Sequence, residues 1–210
     1  GQRLALEVTE GSGTDIWSYD WQRDTMTRLT FSGNAFGPIW SPDGQYIVFR
    51  AIGEGTLVTR SDGADKPQSL TQSKKLQFPW SFTPDGKRLA FHESGDGGYD
   101  LWTVPLESDS ARLRAGKPEV FLQTPSSEAT PSFSPDGRWV AFRVTHRSLF
   151  GQPLGPCGPT VGLWVMSVDG APRQLTTPCD APPSASDVAI AEMWAWSPVG
   201  DRLAYVRLAG

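Results

Sequence analysis

Short apolar segments recur along the 210-residue chain, and they show two kinds of hydrophobic pattern. In the first kind, apolar residues follow one another almost without interruption, as in residues 45–49, 87–91 and 138–142. In the second kind, apolar and polar residues alternate, as in residues 15–19 and 100–104. Alternation predicts half-buried strands, whereas continuous apolar runs predict strands buried on both faces. The patterns together predict stacked antiparallel sheets.

A tight turn precedes each continuous apolar segment. Three copies read Ser-Pro-Asp-Gly or Thr-Pro-Asp-Gly, and a fourth has Val199 in place of aspartate. Proline suits the second turn position, Ser, Thr and Asp side chains hydrogen-bond the turn backbone, and glycine accepts a positive φ. The turns therefore predict hairpins, in which the aspartates cap the backbone rather than bind a cation. The turn residues with this structural role are Asp43, Gly44, Asp85, Gly86, Asp136 and Gly137.

The turns recur at intervals that suit a propeller. Pro42, Pro84, Pro135 and Pro198 lie 42, 51 and 63 residues apart. A period near 40 residues is typical of one four-stranded blade, and longer periods indicate loop insertions. We predict an all-β protein, a β-propeller of four-stranded antiparallel blades, with about four blades or as a fragment of a larger propeller. The predicted repeats of this single domain (1–210) are 1–37, 38–76, 77–129, 130–192 and an incomplete 193–210.

The amino-acid composition argues against a nucleic-acid partner and against membrane insertion. The 22 glycines and 18 prolines favour short strands and leave little room for helices. With 23 acidic and 19 basic residues and no basic run, the chain has a net charge of −4, and we expect no nucleic-acid partner. No run of about 18 apolar residues occurs, so we expect no membrane insertion by this segment.

The residues that usually carry chemistry form no recognisable motif. A Gly-x-Ser-x-Gly sequence is absent, and His92 and His146 have neither metal nor triad spacing, so we expect ordinary surface or strand-end histidines. Asp96 and Asp100 flank a glycine pair but offer too few oxygen ligands for a dedicated calcium loop, which favours a turn. We therefore predict no catalytic residue, no cofactor and no metal.

One aromatic position recurs in the alternating strands. Trp17, Trp102 and Trp164 occupy it, and packing between blades is the favoured interpretation over contact with a ligand.

The two faces of a propeller carry different loops. The turn face has the Pro-Asp-Gly turns and the links between third and fourth strands, and the connection face has the links between second and third strands and between blades. Long insertions at 145–161 and 177–192 fall on the connection face, where recognition is expected. Aromatic residues outside the repeat positions are candidate partner contacts, unless each packs on its own loop: Phe36 and Phe150, expected in connections on that face, with Trp194 and Trp21.

Each insertion also carries one of the two cysteines, Cys157 and Cys179. Because the two loops are neighbours on one face, a disulfide between them is a hypothesis, and it would imply an oxidising compartment. The alternative is two unpaired thiols in a cytosolic protein.

The repeat resembles that of a known group of propellers. The pattern is Pro-x-Trp-Ser-Pro-Asp-Gly, a strand ending in Ala-Phe, then Asp-Ile/Leu-Trp, then Arg-x-Leu-Thr. It resembles the repeat of TolB and related WD-like bacterial propellers over nearly the whole chain. Residues 99–142 look most similar to the propellers of bacterial receptor-type serine/threonine kinases, and the propellers of prolyl oligopeptidase-like enzymes look similar to a lesser degree.

The resemblance implies three functions. A TolB-like chain is a non-catalytic module for protein or peptide recognition in the bacterial cell envelope, extracytoplasmic and periplasmic, with an envelope protein as partner. A kinase propeller is a sensor outside the membrane. A prolyl oligopeptidase-like propeller gates substrate access to a serine peptidase domain.

Overall fold

The computed structural model describes residues 2–96, 98–108, 112–145, 162–176 and 194–205, which form strands and turns and contain no helix. The first sheet contains β1 (Arg3–Glu10), β2 (Gly13–Asp20) and β3 (Thr25–Arg28), and the second contains β4 (Ala35–Trp40), β5 (Tyr46–Ala51), β6 (Gly55–Arg60) and β7 (Gln68–Thr71). The third contains β8 (Gln77–Phe82), β9 (Arg88–Gly95), β10 (Gly98–Ser108), β11 (Leu113–Ala115) and β12 (Glu119–Leu122). The fourth contains β13 (Ser127–Phe133), β14 (Trp139–Thr145), β15 (Gly162–Ser167) and β16 (Arg173–Gln174), and the last pairs β17 (Trp194–Trp196) with β18 (Leu203–Tyr205).

Within each sheet, strands adjacent in sequence pair antiparallel, except that β11 and β12 both pair with β10, and this arrangement confirms the prediction of an all-β propeller fragment. The first sheet begins at β1, which has the repeat position of a second strand, so no inner strand precedes it among the described residues. In the described part of the chain, no helix has the length and apolarity needed to cross a membrane.

The third sheet has one strand more than the repeat predicts. The eleven-residue β10 pairs with β12 along its first half and with β11 along its second half. Leu106 of β10 and Leu113 of β11 are both buried against the second sheet, which explains why this extra hairpin forms.

Hydrophobic cores lie between successive sheets rather than within one of them. Ile47 and Phe49 of β5 pack toward the first sheet, whereas Val48 between them packs toward the third. The same division recurs in β9, where Leu89 and Phe91 join the core shared with the second sheet. The second strands β5, β9 and β14 are therefore buried on both faces, as their continuous apolar pattern predicts.

The inner strands β4, β8 and β13 share a bulge and a proline. Their pairing shifts register at Phe36/Ile39, Pro79/Ser81 and Ala129/Ser132. A proline lacks the donor that another strand would need, so it protects the exposed edge. Beyond the bulge the strand continues, which is why β4 begins at Ala35 and β13 at Ser127, three residues ahead of the predicted repeat limits.

The Asp carboxylates lie inside the Pro-Asp-Gly turns. Asp85 Oδ1 accepts hydrogen bonds from Thr83 Oγ1 at 2.6 Å and from the Lys87 N–H at 3.0 Å, and these bonds lower the pKa of Asp85. Asp43 and Asp136 accept the same two bonds in their own turns. Hydrogen bonds from Ser134 and from the Arg138 backbone and side chain lower the pKa of Asp136 to about 2.

The turn glycines have a second role in packing. Gly44, Gly86 and Gly137 have φ between 70° and 72°, in the left-handed region that glycine accepts without strain. A Cβ at Gly137 would lie 3.4 Å from Pro84 Cδ, and one at Gly86 would lie 3.7 Å from Pro42 Cδ. The second and third turns thus rest against the proline of the preceding turn.

We predict that Phe91→Ala lowers the free energy of unfolding by about 3–5 kcal/mol, because it removes a buried ring from the core between the second and third sheets. Urea denaturation measures the change. The matched control is Phe31→Ala, since Phe31 is 75% exposed, and its expected effect is below about 0.5 kcal/mol. Equal losses for the two variants would contradict the assignment of the core.

Candidate functional site

Four equivalent positions bring charged and titratable side chains to the connection-face end of the inner strands. Each follows the last large apolar residue of a second-strand repeat segment, in β1, β5, β9 and β14. The four residues are Glu7, Arg50, His92 and Arg143.

Two of the four reach the inner strand of the next sheet through the same kind of contact. Glu7 Oε1 accepts a hydrogen bond from the Gly37 N–H, and His92 Nδ1 accepts one from the Thr130 N–H at 3.1 Å. Gly37 and Thr130 are equivalent, since each precedes its turn serine by four residues. An acceptor on one blade therefore meets a backbone donor at the bulge of the next.

The backbone at Thr130 shows why this acceptor is needed. Thr130 has φ 55°, a conformation that β-branched residues rarely adopt, and its buried hydroxyl has no hydrogen-bond partner. The bond to His92 gives the strained segment one satisfied donor and links the third sheet to the fourth.

The side chain of Arg50 contacts an aromatic ring rather than a backbone donor. The residue of the third sheet equivalent to Gly37 is Pro79, which has no N–H to donate. The Arg50 guanidinium instead lies over the ring of Phe78, 4.3 Å from its centroid. Within the described residues, the side chain of Arg50 makes no hydrogen bond and no ion pair.

His92 is the centre of an aromatic cluster. Its side chain is 5% exposed, and Nδ1 also accepts a hydrogen bond from Trp80 Nε1–H at 3.0 Å. Because Nδ1 is an acceptor, the imidazole proton lies on Nε2. The rings of Tyr99 and Phe78 lie 4.5 and 4.7 Å from the imidazole centroid.

The same surroundings keep His92 neutral. Burial lowers its pKa to about 3, with a further contribution from the positive charges of Arg143 and Arg50. His92 is therefore neutral near pH 7, and it acts as a hydrogen-bond acceptor rather than as a cation.

A cleft of about 650 Å³ opens beside this cluster. One wall is the segment of β1 from Ala5 to Glu7, and the opposite wall is the aromatic surface of the inner strands. Trp80 is 42% exposed there, and Phe36 and Phe78 are half-buried. Those three rings, with Pro38, Ile39, Pro79 and Arg50, complete the lining.

Buried carboxylates near the connection face have structural partners. Asp15 accepts hydrogen bonds from Thr30 Oγ1 and from Arg28 at 2.7 Å. Although burial alone would raise its pKa, these bonds, with one from the Gly33 N–H, lower it. Asp100, considered for a calcium loop, accepts a bond from Gln123 Nε2 at 3.0 Å. Among the described residues, no three His, Cys, Asp or Glu side chains gather as a metal site.

The structure places the predicted contact residues differently from the expectation. Phe36 lies within β4, where it pairs with Arg50, rather than in the connection before that strand. Trp194 lies in β17 and is half-buried. Trp21 is 47% exposed and lies between β2 and β3 on the turn face. Phe150, His146, Cys157 and Cys179 lie outside the described residues, as do both long insertions.

The structure also shows the surroundings of His92 and of the recurrent tryptophans. His92 is not a surface or strand-end histidine, because the bulge of the next sheet and two aromatic residues enclose it. The recurrent tryptophans Trp102 and Trp164 pack against the cores between sheets. Trp17 is half-buried beneath the guanidinium of Arg28.

Sequence reasoning missed Arg50 and Trp80. A signal for them exists, since alignment of the repeats puts a charged or titratable residue after each apolar second strand. The same alignment puts Trp80 and Trp194 three residues before their turns, where the other inner strands have Pro38 and Pro131.

Comparison with known proteins agrees with this geometry. The chain is 28% identical over 132 residues to the Tol-Pal system protein TolB of Anaeromyxobacter dehalogenans, covering 62% of this chain and 26% of TolB. It is 24% identical over 145 residues to the uncharacterized peptidase YuxL of Bacillus subtilis, covering 68% of this chain and 20% of YuxL. The chain thus spans about a quarter or less of these curated relatives. No protein-family model matches it.

Solved structures show the same architecture. TolB of Acinetobacter baumannii superposes with a TM-score of 0.69 at 19% identity, over 96% of this chain and 45% of that protein. The putative TolB of Agrobacterium tumefaciens gives a TM-score of 0.67 at 21% identity, over 84% and 62%. The chain has the TolB-like propeller fold. An oligogalacturonate lyase in complex with manganese has a TM-score of 0.63 at 16% identity, over 84% and 50%, so enzymes share this fold.

We predict that His92 makes the fold less stable in acid. Since its pKa is about 3 in the folded protein and about 6.5 when unfolded, only the unfolded chain takes up the proton as the pH falls below 6.5. The free energy of unfolding should then fall by about 1.4 kcal/mol per pH unit from this group alone. The groups that face the imidazole are Arg50, Arg143 and the Tyr99 ring.

Urea denaturation between pH 7 and pH 4 measures this slope. His92→Gln has no titrating ring, so it should remove this part of the acid dependence, whereas an Arg3→Gln control should keep it. An identical slope in wild type and His92→Gln would show that His92 titrates normally in the fold.

Proposed function

We propose that this chain is a non-catalytic recognition module that binds an extended peptide segment of a protein partner in the connection-face cleft. The observation that carries the proposal is the cleft itself, with three partly exposed aromatic rings on one wall and the β1 segment on the other. Aromatic anchors in a concave surface are what protein interfaces use for most of their binding energy.

Exposed apolar side chains on the same face support this proposal. Phe31 is 75% exposed, Ile52 51% and Leu76 47%, and all three lie in connections between strands or blades. Apolar side chains clustered around a cleft are typical of an interaction surface. The two long insertions belong to the same face by sequence, and we infer that they contribute to it.

The proposed setting is the bacterial cell envelope, outside the cytoplasm and in the periplasm. The similarity to a Tol-Pal system protein supports an envelope protein as the partner. In an oxidising compartment, Cys157 and Cys179 would form the disulfide proposed from their positions. A sensor propeller of a serine/threonine kinase would use the same face in the same way.

A second candidate function is supported by the similarity to YuxL, an uncharacterized peptidase. In that case the propeller would gate the access of peptides to a peptidase domain elsewhere in the protein. The complete reading frame distinguishes the two, because a Gly-x-Ser-x-Gly hydrolase domain would support the gate and its absence would support the recognition module.

We predict that peptides selected from a random display library against the 210-residue chain depend on the cleft. Phe36→Ala, Trp80→Phe and Trp194→Ala test the aromatic positions of the inner strands. The expected result for Phe36→Ala is a loss of affinity of at least about tenfold, since an aromatic anchor of an interface contributes about 1–3 kcal/mol.

Trp139→Ala is the matched control, because Trp139 is 38% exposed at the turn-face end of β14. Circular dichroism verifies that each variant is folded. Selected peptides that bind all connection-face variants as well as wild type, or a library that yields no binder, would contradict the proposed function.

A further inference from the structure

We propose that Arg50 is the specificity anchor of the cleft and that it binds the carboxylate of an acidic side chain within the bound peptide. This inference rests on the proposed function, since it names the side chain that the cleft selects.

The charge of Arg50 is left without a counter-ion by the fold. Its position is equivalent to Glu7 and His92, which both accept a backbone N–H from the next sheet. Arg50 cannot form that bond, because a guanidinium has no acceptor and Pro79 has no N–H to donate, and no side-chain hydrogen bond or ion pair replaces it within the described residues. A half-buried guanidinium without a partner is costly, so an anion that reaches it gains affinity.

The position of the Arg50 guanidinium over the ring of Phe78 suits the binding of a planar ligand. The guanidinium carbon lies 4.3 Å from the ring centroid, and because the side chain makes no hydrogen bond, its five N–H donors remain available. A carboxylate matches two of those donors in a bidentate pair, which is stronger than a hydrogen bond between neutral groups. Because Arg50 lines the cleft, its donors can be reached by a bound peptide.

The surroundings favour a side-chain carboxylate over a chain terminus. Arg50 has an aromatic neighbour on each of two strands, since Phe36 is its cross-strand partner in β4 and the ring of Phe78 in β8 lies under its guanidinium. A peptide that places an anion here has apolar surface to contact on both sides of that residue. We therefore infer an acidic residue flanked by apolar residues, within a chain that continues in both directions.

The other charged and titratable side chains near the cleft are consistent with a single anion-binding position at Arg50. Glu7 lines the opposite wall, and its carboxylate is engaged by the Gly37 N–H. His92 is neutral and accepts two hydrogen bonds, so it does not compete with Arg50 for the anion. Arg143, on the far side of His92, adds positive potential to the same end of the inner strands.

The test uses four fluorescein-labelled heptapeptides and the 210-residue chain. Three carry a central Phe-Asp-Phe, Phe-Asn-Phe or Phe-Lys-Phe sequence, with acetylated and amidated ends. The fourth has the Asn sequence with a free carboxyl terminus. Fluorescence anisotropy gives the dissociation constants for wild type, Arg50→Gln, Arg50→Lys and the control Arg3→Gln. Arg3 also lies over an aromatic ring, that of Trp40 at 5.4 Å, but outside the cleft.

The expected result is that the Asp peptide binds wild type at least about tenfold more tightly than the Asn and Lys peptides. Arg50→Gln should abolish this preference, and Arg3→Gln should keep it. Arg50→Lys retains the charge but lacks the planar fork, so it should reduce the preference severalfold, which provides a second folded variant.

Three results would overturn the inference. They are equal binding of the Asp and Asn peptides, a preference that survives Arg50→Gln, and binding of the free-carboxyl Asn peptide as tight as that of the Asp peptide. If library-selected peptides still depend on Phe36 in any of these cases, the proposed recognition function stands while the acidic specificity fails.

Discussion

The structure depends on the burial of both faces of the second strands β5, β9 and β14. A single four-stranded sheet cannot shield Ile47, Val48 and Phe49 at once, because side chains alternate between its faces. Only a sheet on either side can do so, and the three cores between successive sheets are the result. The propeller arrangement follows, since each blade needs neighbours and the repeat supplies them.

The same geometry explains how a functional surface arises on a repetitive scaffold. In the first and third sheets, the residue after the last large apolar residue of the second strand reaches the inner strand of the next blade, where Glu7 and His92 each accept a backbone N–H. Arg50 cannot take this role, because a guanidinium accepts no hydrogen bond and the equivalent residue of the next blade is Pro79, and it lies beside an aromatic cleft instead. One departure from the repeat thus converts a structural position into a candidate binding position.

Much of the fold is predictable because turn chemistry and periodicity are local. The apolar segments 45–49, 87–91 and 138–142 overlap β5, β9 and β14, and the Pro-Asp-Gly turns fix where each hairpin reverses. The extra strand β11 was not predictable in the same way. It depends on the burial of Leu113 against a different sheet, which no local pattern reports.

The candidate site was much less predictable. His92 looks ordinary in sequence, and its burial follows from a bulge at Thr130, 38 residues further along the chain. Phe36 was predicted to contact a partner, and it does line the cleft. The sequence placed it in a connection, however, whereas it belongs to an inner strand that continues past its bulge. Side chains from the first, second and third sheets line the cleft. Sequence spacing alone does not predict which residues of different sheets come into contact.

Hydrogen–deuterium exchange of the 210-residue chain, with and without a library-selected peptide, tests most directly whether the connection-face cleft binds a peptide. Binding in the cleft predicts slower exchange in the segments that carry Ala5–Glu7 of β1, Phe36–Ile39 of β4 and Phe78–Trp80 of β8, with no change in the Pro-Asp-Gly turns. Protection confined to the turn face, or unchanged exchange along β1, β4 and β8, would contradict it.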